Sequence, residues 1–105
     1  MNKAQQLSVL LRDLEQVLKQ LDLWQVNRPS QSALTSTQPF CIDTLDFHQW
    51  LQFIFIERMQ AILNSKQSLP PNLCLMPIAE EVYKDADFNP KPLYLVLTQI
   101  DNLFN

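Results

Sequence analysis

A leucine repeat near the amino terminus predicts the first helix. Apolar residues recur there at alternating intervals of four and three: Leu7, Leu11, Leu14, Leu18 and Leu21. Three more apolar residues lie seven apart beside them: Leu10, Val17 and Trp24. The resulting stripe is wider than the two-position seam of a coiled coil. We therefore expect a helix over residues 2 to 22 that packs within its own chain, with a coiled-coil dimer as the open alternative.

A long polar loop is predicted between residues 25 and 45. This stretch is rich in Asn, Arg, Pro, Ser, Gln and Thr, and it shows no apolar periodicity. Pro39 restricts Gln38 to an extended conformation, so we expect the segment to lie along the body of the domain with Phe40 as its anchor. A loop of this length inside a compact domain is usually functional or mobile.

The second helix is predicted to begin at Asp46, because Gln49 follows at the spacing of a capping box. Asp43 offers a similar start about one turn earlier. At about 100° per residue, one face of this helix is apolar: Phe47, Trp50, Leu51, Ile54, Ala61 and Ile62. Phe53 and Ile56 fall on the opposite side. A helix that is apolar on both sides either lies in the centre of a bundle or presents a second apolar surface to a partner.

Two further helices are predicted after the Leu-Pro-Pro sequence at 69 to 71, which ends the second helix. Pro77 suits the first turn of a third helix that runs to about Ala86. Asn89 can cap a fourth helix, in which apolar residues keep the helical period: Leu93, Val96, Leu97, Ile100, Leu103 and Phe104. The expected fold is all-α, a single-domain four-helix bundle with a long loop between helices 1 and 2.

Composition supports one globular domain over residues 1–105. The chain is 47% hydrophobic and only 18% charged, which is too apolar for a disordered segment. Its formal net charge is −3, and its eight basic residues are scattered, so we expect no direct nucleic-acid binding. Charged residues interrupt every long apolar run, which predicts a cytoplasmic protein without membrane contact. We expect a monomer or a weak dimer.

Two absences exclude many kinds of active site. The chain has no glycine, which removes phosphate-binding loops and the nucleophile elbow of serine hydrolases. It has one histidine, His48, which cannot form a multi-histidine zinc site. Cys41 and His48 suggest a nucleophile and its base, but their spacing is unspecific. We interpret Cys41 and Cys74 as buried thiols without a disulfide.

Pairs of acidic residues are the remaining candidates for metal chemistry. Asp43 and Asp46 form one pair, and Asp85 and Asp87 form another. Each pair supplies fewer oxygen ligands than a hard cation requires, so helix capping and solvation explain them better. The prediction is a non-enzymatic protein with no catalytic residue, no metal and no cofactor.

Arg58 is the unexpected residue of the second helix, because it falls in the middle of the predicted apolar face. A buried arginine without a partner is strongly destabilising, so its side chain must reach solvent or meet a carboxylate. We predict a structural ion pair with Asp43, Glu80 or Glu81. A contact with a ligand or a partner is the alternative.

The aromatic residues around position 50 have two interpretations. Phe47 and Trp50 lie at helical spacing, which is typical of core residues. For Phe53 and Ile56, core and surface remain equally open. Together with the extended segment that ends at Phe40, these side chains could line a groove for a helix or peptide of a partner.

Five short motifs resemble those of the YqcC-like family of small bacterial proteins. They are STQPFCIDTL at 36 to 45, WLQ at 50 to 52, RM at 58 and 59, KQSLP at 66 to 70 and IDNLF at 100 to 104. The resemblance covers nearly the whole chain. It implies a cytoplasmic helical bundle in a family that has no assigned activity, and whose members are often encoded beside a tRNA pseudouridine synthase. Family members commonly have proline where this chain has Glu57, so we expect the second helix to continue unkinked.

The leading hypothesis is a non-enzymatic accessory module that docks onto a protein partner, with a tRNA-modifying enzyme as the candidate. The predicted partner-binding residues come from the long loop and the second helix: Ser36, Thr37, Gln38, Phe40, Asp43, Trp50, Gln52, Phe53, Ile56 and Arg58. The alternative is a small-ligand-binding domain with an aromatic groove in which Arg58 anchors an anion. A concave pocket lined by Trp50 and Arg58 would favour the ligand, whereas a flat patch around Phe53 and Ile56 would favour the protein partner.

Overall fold

Five helices make up the part of the chain that the computed structural model describes, residues 2–104. Four of them are α1 (Lys3–Gln20), α2 (Gln31–Leu34), α4 (Met76–Tyr83) and α5 (Lys91–Phe104). The third, α3, joins an α-helical turn, a π-helical segment and a longer α-helix without a break: Phe47–Trp50, Leu51–Ile56 and Glu57–Ser65. No strand occurs between residues 2 and 104. The predicted all-α bundle is confirmed, since α1, α3, α4 and α5 are its four expected helices.

The leucine stripe of α1 forms one side of the hydrophobic core. Its central members are at most 1% exposed: Leu7, Leu11, Leu14 and Leu18. They face α5 above all, and α5 contributes the opposing apolar side chains Leu93, Val96, Leu97, Ile100 and Phe104. The leucine stripe is therefore buried against other helices of the same chain, as predicted. A capping box starts the helix, because the Gln5 N–H donates to Asn2 Oδ1 at 2.8 Å and the Asn2 N–H donates to Gln5 Oε1 at 3.2 Å.

A carboxylate from α5 positions α4. Asp101 accepts hydrogen bonds from the backbone N–H groups of Leu75 and Met76, at 2.8 and 2.9 Å, and so caps the first turn of α4 from a distant part of the chain. The first N–H groups of a helix have no partner within the helix, and a negative charge there also complements the helix dipole. This contact ties the third and fourth helices of the bundle together.

The π-helical segment of α3 corrects the predicted helical faces. A π-helix bonds each residue to the fifth along, so its wider turn takes up one extra residue and shifts all later side chains by one position. Met59 is therefore buried, whereas Arg58 and Ala61, which were predicted to lie on the core face, are exposed. Phe53 and Ile56, which ordinary helical geometry places on the outside, turn inward. The helix continues through Glu57, as expected.

The loop before α3 has more structure than its composition suggested. It contains the short helix α2 and a 3₁₀ turn at Pro39–Cys41. It is also fixed to α3 through Gln52, the one buried polar side chain among the described residues. The Gln25 N–H donates to Gln52 Oε1 at 2.9 Å, and Gln52 Nε2 donates to the Gln25 carbonyl at 2.8 Å. The long loop predicted over residues 25 to 45 thus contains a short helix and a 3₁₀ turn, which its composition did not indicate.

Gln52→Met should destabilise the fold by about 1–3 kcal/mol, because both backbone groups of Gln25 lose their partner while the side-chain volume is kept. Gln60→Met is the matched control, since Gln60 is exposed on the same helix, and we expect a change within about 0.5 kcal/mol. Urea unfolding of both variants measures the difference. Equal stabilities would show that the paired hydrogen bonds do not hold the loop.

Candidate functional site

A groove lies between the 3₁₀ turn and the middle of α3. It has a volume of about 290 Å³, and nine residues line it: Leu34, Ser36, Gln38, Pro39, Phe40, Cys41, Trp50, Ile54 and Arg58. Five of these are residues that the sequence predicted for partner binding: Ser36, Gln38, Phe40, Trp50 and Arg58. The fold thus gathers half of the predicted surface into one concavity. We call this feature the Arg58 groove.

A second depression adjoins the Arg58 groove along α3. It has a volume of about 380 Å³ and shares Leu34, Ile54 and Arg58 with the first. Its other lining residues are Arg28, Gln31, Phe53 and Glu57. Because the shared residues lie where the two depressions meet, Arg58 stands at the centre of an elongated concave surface. Such a shape suits an extended segment of a partner.

Aromatic rings form the floor of the Arg58 groove. The rings of Phe40 and Trp50 meet edge to face, with their centroids 4.8 Å apart. Behind them, Phe47 stacks on Trp50 at 6.0 Å and Phe55 stacks on Trp50 at 5.7 Å. Phe47 and Phe55 are buried in the core, whereas Phe40 and Trp50 are half-buried. Both interpretations of the aromatic cluster therefore hold in part: Phe47 and Phe55 belong to the core, whereas Phe40 and Trp50 also line the groove.

The backbone of the 3₁₀ turn is strained at the groove wall. Phe40 and Cys41 have φ values of 57° and 49°, in the left-handed region that glycine adopts without penalty. For a residue with a Cβ, this conformation costs about 1–2 kcal/mol. Consecutive residues of this kind persist only where their surroundings hold them, and such positions cluster at ligand and partner sites.

Hydrogen bonds around this turn explain three residues of the STQPFCIDTL motif. Ser36 Oγ donates to Asp43 Oδ1 at 2.5 Å and accepts from the Gln38 N–H at 3.1 Å. Thr44 Oγ1 donates to the carbonyl of Ala33 at 2.7 Å. Asp43 and Ser36 thus stabilise the turn. Thr37, the remaining predicted contact of this segment, is exposed and makes no hydrogen bond within residues 2–104.

Three predicted contact residues are not available at the surface, which is a correction. Gln52, Phe53 and Ile56 are 5%, 8% and 4% exposed, so the expected apolar patch around Phe53 and Ile56 does not form. The guanidinium of Arg28 covers the ring of Phe53 at 5.6 Å from its centroid. Ile42, which directly follows the groove-lining Cys41 in the chain, is instead an exposed apolar side chain, at 63%. Sequence reasoning missed Ile42, because no local signal gives the exposure of a single apolar residue.

Arg58 does not form the structural ion pair that was predicted. It is exposed and makes no ion pair or hydrogen bond within the described chain. Two of its expected partners are engaged elsewhere, because Asp43 accepts a hydrogen bond from Ser36 and Glu81 pairs with Lys84 at 3.0 Å. The neighbouring Glu57 pairs instead with Arg28, and its two oxygens lie 2.6 and 3.1 Å from the guanidinium nitrogens.

The charges of Arg28 and Glu57 neutralise each other. The hydrogen bonds from Arg28 to Glu57, and then the attraction between their opposite charges, raise the pKa of Arg28. Both side chains are about half-exposed, so the pair is a screened surface contact. Because Arg28 is paired with Glu57, Arg58 is the one unpaired cation among the residues that line the two depressions.

Cys41 and His48 do not form a nucleophile and base. The Cys41 thiol is buried and donates to the Ser36 carbonyl at 4.0 Å, and no hydrogen bond joins it to His48 within residues 2–104. The side chain of His48 is only 15% exposed, with Nε2 3.6 Å from Asp46 Oδ2. Cys74 is exposed rather than buried, and both thiols are free.

The described residues hold no group of three or more His, Cys, Asp or Glu side chains placed to bind a metal ion. Among the helices of residues 2–104, none combines the length and the apolar character needed to cross a bilayer.

Comparison with known proteins places the chain in a family. A family model described as tRNA pseudouridine synthase C matches residues 6–103. An uncharacterised protein of Haemophilus influenzae is 40% identical over 96 residues, which cover 90% of this chain and 89% of that protein. YqcC of Escherichia coli, also described as uncharacterised, is 35% identical over 95 residues, covering 90% and 86%. The chain belongs to the YqcC-like family.

A solved structure supports the same assignment. The solution NMR structure of E. coli YqcC matches with a TM-score of 0.81 and 31% identity, covering 99% of this chain and 89% of that one. A much longer relative is the tRNA pseudouridine synthase C of Pectobacterium carotovorum subsp. carotovorum, which is 34% identical over 91 residues. The match covers 87% of this YqcC-like chain but only 24% of that protein.

Arg58→Ala should change the free energy of unfolding by no more than about 0.5 kcal/mol, because the exposed guanidinium has no partner to lose within the described chain. Arg28→Ala should cost more, since it removes both the Glu57 pair and the contact with the Phe53 ring. Thermal unfolding of the two variants tests this. A large loss of stability in Arg58→Ala would show instead that Arg58 forms a structural ion pair.

Lowering the pH from about 7.5 to 5.5 should destabilise the folded chain through His48. Burial lowers the pKa of His48 below its ordinary value, although the charge of Asp46 opposes the shift. The unfolded chain therefore binds the proton more readily, so the free energy of unfolding falls as the pH drops through about 6.5. His48 is the only histidine in the chain, so His48→Gln should flatten this dependence. Parallel curves for the two proteins would contradict the shift.

Proposed function

We propose that this protein is a non-enzymatic accessory module that docks onto a tRNA pseudouridine synthase through the Arg58 groove. One observation carries the proposal. Nearly the whole chain matches a segment that makes up 24% of a protein named tRNA pseudouridine synthase C, and three quarters of that protein lie outside the match. A module that occurs both as a small chain and as part of a larger one commonly works beside the rest of that larger chain.

Physical chemistry explains how the two arrangements can share one contact. A covalent link raises the effective concentration of a domain beside its neighbour to about the millimolar range, so a weak surface suffices there. A separate chain lacks this high effective concentration, so its docking surface must bind the partner more tightly. The Arg58 groove is the surface that we assign to this contact.

The residues of the groove support docking. Tryptophan and arginine dominate the energetics of protein interfaces, where they are flanked by residues that exclude water. Trp50 and Arg58 line the groove together, and Ile42 stands exposed directly after its strained turn. Trp50 and Arg58 are held by the helix α3, and Ile42 follows a turn whose backbone is fixed by hydrogen bonds, which lowers the entropy lost on binding.

The charge of the chain favours the enzyme over its tRNA as the docking partner. Nucleic-acid affinity depends on several cations that together displace counterions from phosphates. The net charge is −3, and the lining of the two depressions contains two arginines, one of which is paired with Glu57. The module would therefore act on the synthase and leave tRNA binding to it.

A small-ligand function is the second candidate, and one observation favours it. The groove is concave and lined by both Trp50 and Arg58, while the apolar patch expected for a flat interface is buried. Its volume of about 290 Å³ lies at the lower limit of ordinary ligand pockets, which span roughly 300–1,000 Å³. A compact anion would fit such a site.

Isothermal titration of this chain into the purified tRNA pseudouridine synthase C of the same organism tests the proposal. We expect a dissociation constant in roughly the micromolar range. Ile42→Asp should weaken it at least about tenfold, because the charge would be desolvated at the interface. Leu95→Asp is the matched control, since Leu95 is 65% exposed against 63% for Ile42 but lies on α5.

Absence of binding by the wild-type chain would overturn the proposal. If the chain purified from cells then carried a small anion by mass spectrometry, the ligand function would replace it. Equal weakening by Ile42→Asp and Leu95→Asp would retain the partner but reject the Arg58 groove as its docking site.

A further inference from the structure

Arg58 is an isolated positive charge on the surface of an acidic protein. The neighbouring charges on the same lining, Arg28 and Glu57, neutralise each other. Asp43 stands close by at the turn, where it accepts the hydrogen bond of Ser36. Arg58 itself has no partner within residues 2–104, while half-buried aromatic rings and aliphatic side chains surround it. A guanidinium whose N–H donors have no partner in the chain is free to form paired hydrogen bonds with an anion.

We propose that Arg58 binds a carboxylate on the docking segment of the partner, and that an apolar side chain next to that carboxylate packs on Phe40 and Trp50. This inference rests on the proposed function and specifies its contact. The recognised feature is an aspartate or glutamate adjacent to an apolar residue in an exposed segment of the partner protein. The elongated concave surface along α3 receives that segment.

The chemistry of arginine supports a carboxylate. The planar guanidinium presents paired N–H donors that match the two oxygens of a carboxylate, so the contact is geometrically specific as well as charged. Apolar neighbours keep water away from the pair once the partner is seated, which strengthens the interaction beyond that of an open surface ion pair. Leu34, Ile54 and Trp50 supply those neighbours.

A phosphate of tRNA is the competing anion, and the surroundings disfavour it. One cation can neutralise only one phosphate, whereas affinity for a nucleic acid grows with the number of phosphates neutralised. Asp43 at the turn and the overall charge of −3 would repel a polyanion that extended beyond Arg58. A single carboxylate within a mixed segment avoids this repulsion.

The strained turn gives the groove its fixed shape. Two backbone hydrogen bonds hold the left-handed conformation of Phe40 and Cys41, because the Cys41 N–H donates to the Gln38 carbonyl at 3.0 Å and the Thr44 N–H donates to the Cys41 carbonyl at 2.9 Å. The ring of Phe40 is thereby held edge to face against Trp50. Because the Phe40 and Trp50 rings lie at a fixed position beside Arg58, the groove favours a partner whose carboxylate and apolar side chain have the matching spacing.

Charge reversal tests the role of Arg58. Arg58→Glu should weaken binding to the synthase at least about thirtyfold, and Arg58→Lys should weaken it less, because lysine keeps the charge but loses the paired donors. Arg12→Glu is the matched control. Arg12 is also exposed and unpaired within the described chain, and its reversal changes the net charge equally, but it lies on α1 away from the groove. We expect that control to change affinity less than about threefold.

Photo-crosslinking identifies the anion. A photoreactive amino acid in place of Ile42 should crosslink to a synthase peptide that contains aspartate or glutamate beside an apolar residue. Replacing that acidic residue with arginine should weaken binding to the wild-type chain and restore binding to Arg58→Glu. Crosslinking to tRNA, or to a peptide without a carboxylate, would overturn the inference.

The two proposals fail in different ways. If the wild-type chain does not bind the synthase, the proposed function fails and the carboxylate inference fails with it. If the wild-type chain binds and Arg58→Glu binds equally well, or if Arg58→Glu and Arg12→Glu weaken binding to the same degree, the proposed function stands and the role of Arg58 is rejected.

Discussion

The pair of hydrogen bonds between the Gln52 amide and the backbone of Gln25 is the constraint on which the site depends. A buried amide must have partners for both its donor and its acceptor, and here one residue of the loop supplies both. The loop is therefore held against α3 at one fixed register. From that point α2 lies beside Ile54, Arg28 covers Phe53, and the two depressions acquire their outer wall.

The π-helical segment makes this arrangement possible. By accommodating one extra residue in its turn, it directs Gln52 and Phe53 inward together and rotates Arg58 out of the core. The same local distortion thus creates the buried attachment point of the loop and the exposed cation of the groove. Interruptions of this kind are frequent at functional sites, because the rest of the helix must compensate for their poorer hydrogen bonding. In this chain the compensation comes from the dense aromatic packing around Trp50.

The candidate site could be predicted from the sequence only where local chemistry decided it. Pro39 indicated that Gln38 is extended and that Phe40 anchors the segment, and the neighbouring Ser36, Gln38 and Phe40 do line the groove with Trp50. Arg58 was recognised as anomalous, but its assigned role was wrong, since a regular helix would have buried it. Phe53 and Ile56 were misplaced for the same reason. Ile42 was missed because exposure of a single apolar residue depends on the path of the turn, which residue types do not specify.

The amino-acid sequence by itself determined the four main helices, because each is encoded by near neighbours. The leucine stripe forms α1, the Asp46 and Gln49 box starts α3, and Asn89 Oδ1 receives the Lys91 N–H at the start of α5. Only the tertiary structure decided which side of α3 faces the core, where the loop attaches and which cation remains unpaired. Those outcomes depend on contacts between residues such as Gln25 and Gln52, or Asp101 and Leu75, that are more than twenty positions apart. Periodicity records the preferences of neighbouring residues, whereas the balance between packing and hydrogen bonding across the chain sets the rest.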